Sequence, residues 1–180
     1  MKQGKVIFLN GTSSSGKSTT AKLLQQRLDA AFLHVQMDDF FNMVPVQYKD
    51  DIEVCGRMLV GFHHSISALV KTNNNVIVDH VLFHDAWLKE CAELLRDNYV
   101  LFVGVHCPLP ELERREKERA DRGEGWAREQ YEVIHADKVY DVEIDTFALT
   151  SEECVAQIIA FYTSQQPSAF KRLLKPSTAR

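Results

Sequence analysis

Residues 11–18 read Gly-Thr-Ser-Ser-Ser-Gly-Lys-Ser, which fits G-x-x-x-x-G-K-[ST] without a mismatch. Such a run cradles a phosphate only when a strand enters it and a helix leaves it. Both flanks comply. Lys5-Val-Ile-Phe-Leu-Asn10 is an apolar, β-rich run, and residues 18–28 place Ala21, Leu23, Leu24 and Leu28 at helical spacing. One side chain cannot neutralise a polyphosphate, so the loop from Gly11 through Thr12, Ser13, Ser14, Ser15, Gly16, Lys17 and Ser18 to Thr19 would surround it with backbone N–H groups and the positive end of the following helix. Lys17 would reach the β- and γ-phosphates, and the Ser18 hydroxyl would hold Mg²⁺.

The rest of the chain alternates in the same sense. Apolar runs at 32–36, 75–79, 99–105 and 142–146 are interleaved with helical patterns near 57–71, 85–96, 109–120, 126–138 and 151–163. That order predicts an α/β fold in three layers, a central parallel sheet of about five strands with helices on both faces. This is the P-loop nucleoside triphosphate hydrolase/kinase architecture. Thr150 and Glu153 have the spacing of a capping box at the start of the last helix.

Length and composition set limits. A chain of 180 residues, 45% hydrophobic, is expected to build one domain over 1–165, with a basic, proline-containing extension over 166–180 held loosely. A formal charge of -4 lacks the cationic excess that general nucleic-acid binding needs. No signal-peptide core or membrane-spanning run is present, so the expected setting is cytoplasmic. Cys55, Cys91, Cys107 and Cys154 show no C-x-x-C pair and no zinc spacing, which points to reduced, structural thiols; His63 and His64 read as surface or packing residues.

In open α/β sheets the ligand lies at the carboxyl ends of the strands, so the acids that end apolar runs matter most. Asp38 closes the second run and Asp79 the third. Phosphoryl transfer needs a carboxylate to orient or deprotonate the attacking hydroxyl and often another near Mg²⁺; Asp38 takes the first role and Asp79 the second. Asp39 is the rival to Asp38. A charged stretch follows, Pro110 to Gly123, in which Glu111/Arg115 and Glu113/Lys117 have helix-pair spacing. Arg115, Arg119 and Arg122 share one face, and the Gly123-Glu-Gly125 turn ends the run. We expect a lid near 114–126 that brings Arg119 and Arg122 to the phosphates.

Taken together, Asn10 to Ser18, Met37-Asp38 followed by Pro45, Val76-Ile-Val-Asp79, Val103-Gly-Val-His-Cys107, the Glu116 to Arg122 segment and Val139-Tyr-Asp-Val-Glu-Ile-Asp-Thr146 resemble the chloramphenicol phosphotransferase family, in order over residues 4–163. The resemblance implies a small kinase using ATP and Mg²⁺ to phosphorylate a hydroxyl, with Asp38 as base and Arg119 and Arg122 as lid arginines. The chain departs from the family pattern at Asp39, at His80 and in a shorter 46–62 segment, so kinase activity carries over better than the antibiotic acceptor.

Phe40, Phe41, Met43 and Val44 follow the base and Phe83, His84 and Trp87 follow the third run; they wall an aromatic acceptor pocket or pack the core. Asp38, Asp39, Phe40, Phe41 and Phe83 are the candidate acceptor contacts. The partner is then a small hydroxyl compound, chloramphenicol-like or another metabolite, nucleotide or activated sugar. A nucleotide-dependent switch with slow turnover is the other class, although no guanine-reading Asn-Lys-x-Asp occurs.

Overall fold

The computed structural model describes residues 3–119 and 125–174. Five parallel strands, β1 (Lys5–Asn10), β2 (Phe32–Gln36), β3 (Asn75–His80), β4 (Tyr99–His106) and β5 (Val142–Asp145), pair in the order β2-β3-β1-β4-β5. Val6, Ile7, Phe8 and Leu9 of the central β1 are all fully buried. That is why this strand reads as a continuous apolar run instead of alternating with polar residues: both faces of the sheet are covered.

Alternation along the strands sorts the core into two layers. Val6, Phe8, Val76, Val78, Val100 and Phe102 point to one side, where they meet Phe62, Ile66 and Val70 of α3 (Ile52–Lys71) and Leu88, Cys91 and Ala92 of α4 (Asp85–Leu94). Ile7, Leu9, Ile77, Leu101, Val103 and Ile144 point to the other, against Ala21 and Leu24 of α1 (Lys17–Arg27) and Cys154, Val155 and Ile158 of α7 (Ser151–Ser164). The same parity carries to the strand end. Asp79 falls on the α1 side, and its neighbour His80 on the side of α3 and α4.

Where the elements differ from expectation, local chemistry explains why. α3 starts at Ile52 instead of 57 because the Asp51 carboxylate accepts from the backbone N–H groups of Glu53 and Val54, an N-cap placed ahead of the apolar periodicity. A short helix, α2 (Met37–Met43), was not expected and directly follows β2. α5 (Leu109–Glu118) ends near its expected limit, whereas α6 (Trp126–Tyr131) is much shorter than 126–138, and Asp137 has φ 54. The Thr150/Glu153 capping box is present.

Residues 166–174 are held more firmly than expected. Asp141 Oδ1 accepts from the N–H groups of Ser168 and Ala169, its Oδ2 accepts from Phe102 N–H, and Phe170 of α8 (Ala169–Leu173) packs edge-on to Phe102. A single buried aromatic in a polar stretch carries no periodic signal, so the sequence alone reads as a free tail. All four cysteines are unpaired. No described helix is long and apolar enough to cross a membrane.

Candidate active site

The phosphate loop leaves β1 and enters α1. Gly16, the residue before α1, takes φ 94, and Ser14 takes φ 61. Gly11 is required for another reason: a Cβ there would lie 2.4 Å from the Val105 carbonyl oxygen and 2.8 Å from Ser15 Oγ. Gly11→Ala is therefore expected to destabilise the fold by about 1–3 kcal/mol and to displace the loop enough to weaken nucleotide binding about tenfold or more. Thermal melting and titration calorimetry check this, and an unchanged melt would show that the loop accommodates the methyl group.

Lys17, 6% exposed, donates from Nζ to the Thr12 carbonyl at 2.8 Å and stands 3.8 Å from Asp79 Oδ1. Ser18 Oγ donates to Asp79 Oδ2 at 2.6 Å. Burial pushes the Asp79 carboxyl up, yet the Lys17 charge, the nearby His34 ring and the Ser18 hydroxyl that donates to it outweigh burial and hold the group below its ordinary value. The His34 ring is the weaker of these contacts, its Nε2 being 3.7 Å from Oδ2. Loop, Lys17, Ser18 and Asp79 thus form one buried polar cluster. Within it the hydroxyls of Ser14 and Ser15 are buried with no hydrogen-bond partner among the described residues.

This cluster lines a cleft of about 540 Å³ at the carboxyl ends of the strands, together with Thr19, Met37, Asp38, Val81, Arg115, Glu118, Arg119 and Thr146. Asp38 enters it from the first turn of α2. Asp39 does not. Its side chain is exposed, accepts from Gln36 Nε2 at 2.8 Å, and lines a separate apolar depression with Phe40, Met43 and Leu69. Phe40 packs on Phe62 in the core, Phe41 lies under Lys49, and Phe83 contacts His84. Of the five candidate acceptor contacts, only Asp38 lines the cleft.

The arginines divide similarly. Arg115 is committed to protein partners: Nε donates to Glu111 at 2.7 Å, and the two terminal nitrogens donate to the hydroxyl and carbonyl of Thr146, each at 3.0 Å. Arg119 follows α5 and lines the cleft. Arg122 lies outside the described residues, as does most of the expected Gly123-Glu-Gly125 turn. Glu111 pairs with Arg115 as its spacing suggests, but Glu113 is taken by Arg128 of α6, a contact between helices that i,i+4 counting cannot find.

Two polar networks were not anticipated. Asn10, at the end of β1, donates to Tyr140 Oη and the Ile134 carbonyl and accepts from Leu82 N–H. On the far side of β3, His63 Nδ1 meets Glu90 Oε2 at 2.6 Å and His63 Nε2 meets His80 Nε2 at 2.9 Å. An anionic Glu90 fixes His63 with its proton on Nδ1, so His80 must donate from Nε2, leaving its buried Nδ1 without a partner among the described residues. His64 is exposed as expected, whereas His63 is a network member.

Burial lowers His63 and His80 below the usual imidazole value, and burial together with the nearby His106 lowers His135 to about 3. In the unfolded chain these rings titrate near 6.5, so below that pH the unfolded state binds more protons and stability is lost as the pH falls toward the folded values. The melting temperature should drop between about pH 7 and about pH 5; a flat profile would mean that other groups offset the rings.

Comparison with known proteins now has a site to refer to. The sequence profile of the family described as chloramphenicol phosphotransferase-like protein matches residues 4–163. A Mycobacterium tuberculosis protein provisionally named an O-phosphotransferase is 32% identical over 202 aligned residues, covering 97% of this chain and 90% of the relative. Among solved structures, the Mycobacterium tuberculosis APS kinase CysC, in complex with AMPPNP and APS, superposes with TM-score 0.70 at 18% identity over 91% of this chain and all (100%) of that one. A gluconokinase from Sinorhizobium meliloti superposes with TM-score 0.64 at 16% identity over 96% and 94% of the two chains. The architecture is that of the P-loop kinases, and the chain belongs to the chloramphenicol phosphotransferase-like protein family.

Proposed function

We propose that this protein is an ATP-dependent phosphotransferase that moves the γ-phosphoryl group to a hydroxyl of a small molecule. The observation that carries the reading is the single cleft in which the loop from Ser13 to Thr20, Asp38, Asp79 and Arg119 meet at the carboxyl ends of the strands. The family supports an alcohol acceptor, and the shared fold of an APS kinase that binds AMPPNP supports a nucleotide as the ligand of this cleft. We place the activity in the cytoplasm, where ATP is supplied.

The residues fit Mg²⁺ with nucleotide phosphate. Ser18 and Asp79 offer a hydroxyl and a carboxylate oxygen, hard ligands of the kind this ion takes alongside phosphate and water, and among the described residues no larger cluster of His, Cys, Asp or Glu competes for a metal. When bound, the nucleotide and its metal supply the transferable phosphoryl group. The chain does the rest. Loop N–H groups and the start of α1 hold the phosphates, Lys17 Nζ neutralises their charge, and Arg119 adds a guanidinium from the end of α5. The Asp38 carboxylate would accept the proton of the acceptor hydroxyl as its oxygen attacks the γ-phosphorus in line, while the bond from that phosphorus to the β,γ-bridging oxygen breaks and ADP leaves.

The test is ATP consumption with Mg²⁺ across chloramphenicol and a panel of hydroxylated metabolites, nucleosides and sugars, with mass spectrometry of each acceptor. Phosphorylated chloramphenicol supports mechanism and acceptor together. Transfer only to another alcohol keeps the kinase and removes the antibiotic, and nucleotide binding without transfer to any acceptor overturns the kinase reading.

A further inference from the structure

Among the described residues, side chains from other elements hold the backbone of the phosphate loop at Ser13 and Ser15, and both supports lead to adjacent residues of one helix. At one point the Ser13 N–H donates to Gln130 Oε1 at 2.7 Å, across 117 residues of sequence. Gln130 belongs to α6, whose N-terminus is fixed by the buried carboxylate of Glu116: Oε2 accepts from Gly125 N–H at 2.9 Å and Oε1 from Ala127 N–H at 3.1 Å. At the other point the Ser15 carbonyl accepts from Thr146 Oγ1 at 2.8 Å, and Thr146 is gripped by Arg115. Glu116 and Arg115 are neighbours on α5. The chain just past α6 is secured too: the Ile134 N–H donates to the Gln130 carbonyl, and the Ile134 carbonyl accepts from Asn10 Nδ2 at the exit of β1.

We infer that Gln130 is a positioning residue for nucleotide binding, and that α6, anchored by Glu116, is the strut through which the stem of α5 sets the shape of the phosphate loop. A loop built largely of small residues has many conformations, and one whose N–H groups already converge avoids part of the ordering that binding otherwise requires. Ser13 N–H is a backbone donor in a nearly buried residue, and its only acceptor among the described residues is a side chain from another element. Removing that acceptor leaves the donor unsatisfied or frees the loop to turn it elsewhere, and either change lowers the fraction of loops ready for phosphate. Among the described residues, Glu116 bonds to Gly125 and Ala127 at the start of α6 and not to the loop, so its effect on the nucleotide is expected to pass through α6.

The inference rests on the nucleotide reading of the cleft, and the experiment separates the two. Calorimetric titration with Mg²⁺ and the ATP analogue AMPPNP is compared for wild type, Gln130→Met, Glu116→Gln and the double variant. Methionine keeps the length of the side chain and removes its oxygen. We expect Gln130→Met to weaken binding about tenfold with a binding stoichiometry near that of wild type; a purely structural lesion would lower the stoichiometry and leave affinity unchanged. The double variant should bind no more weakly than the worse single variant, because both break one strut. Unchanged affinity in Gln130→Met, a fallen stoichiometry at constant affinity, or additive effects of the two changes would each overturn the proposal. Failure of the wild type itself to bind AMPPNP would instead remove the nucleotide reading.

Discussion

Replacing Asp38 by asparagine is expected to slow phosphoryl transfer about 10²–10⁴-fold while leaving nucleotide affinity within about twofold of wild type. The exchange preserves the size of the side chain and its place in the first turn of α2, and removes the negative charge and with it the ability to take a proton. Asp38 stands in the cleft with Lys17, Ser18 and Asp79, whereas the phosphates would be held by the loop and α1. Binding and proton acceptance are therefore assigned to different residues. Asp39→Asn supplies the control: that side chain is exposed and bonded to Gln36, and its loss should leave transfer within about twofold of wild type. Steady-state kinetics with calorimetry of nucleotide binding check both variants. A full rate in Asp38→Asn would remove the base assignment, and a collapse confined to Asp39→Asn would exchange the two residues.

Asp38 and Asp39 also mark where the sequence stopped being informative. Neighbouring acids after a strand are equivalent in pattern; what separates them is that a helix begins at Met37, so adjacent side chains diverge by about 100°. The loop, β1 and α1 were legible because glycine spacing, apolar runs and helical periodicity are local. So was the parallel sheet, whose strands are buried on both faces. Gln130, Glu116 and His63 were not legible, because each acts through a partner far along the chain: Ser13 for Gln130, the N-terminus of α6 for Glu116, and His80 and Glu90 for His63. For the aromatic residues after Asp38 the sequence leaves both pocket wall and core packing open. Phe40 follows the base in sequence, but the helix turns its ring onto Phe62 and into the core.

Lys17→Met should behave differently from Asp38→Asn, losing transfer about 10²–10³-fold and nucleotide affinity with it. The methionine fills the path of the lysine stem but brings no charge to the phosphates. It also strands two groups. The Thr12 carbonyl loses its donor at 2.8 Å, and Asp79, nearly buried, loses the cation that most opposes its desolvation, keeping Ser18 and the more distant His34. A carboxyl held below 3.8 in the fold contributes stability above that pH, and that contribution disappears as the pH falls through the folded value. Without Lys17, burial is opposed by Ser18 and His34 alone, and the Asp79 carboxylate stabilises the fold less near neutrality. The melting-temperature gap between wild type and variant should therefore be widest near about pH 7 and narrow as Asp79 takes up its proton. Lys17→Arg does not rescue the site, because a planar guanidinium cannot follow the enclosed path of an ammonium that is 6% exposed. If Lys17→Met kept its nucleotide affinity and lost only transfer, Lys17 would act on the charge that develops during the reaction instead of on the bound phosphates. If it kept both, the loop would no longer be the phosphate site.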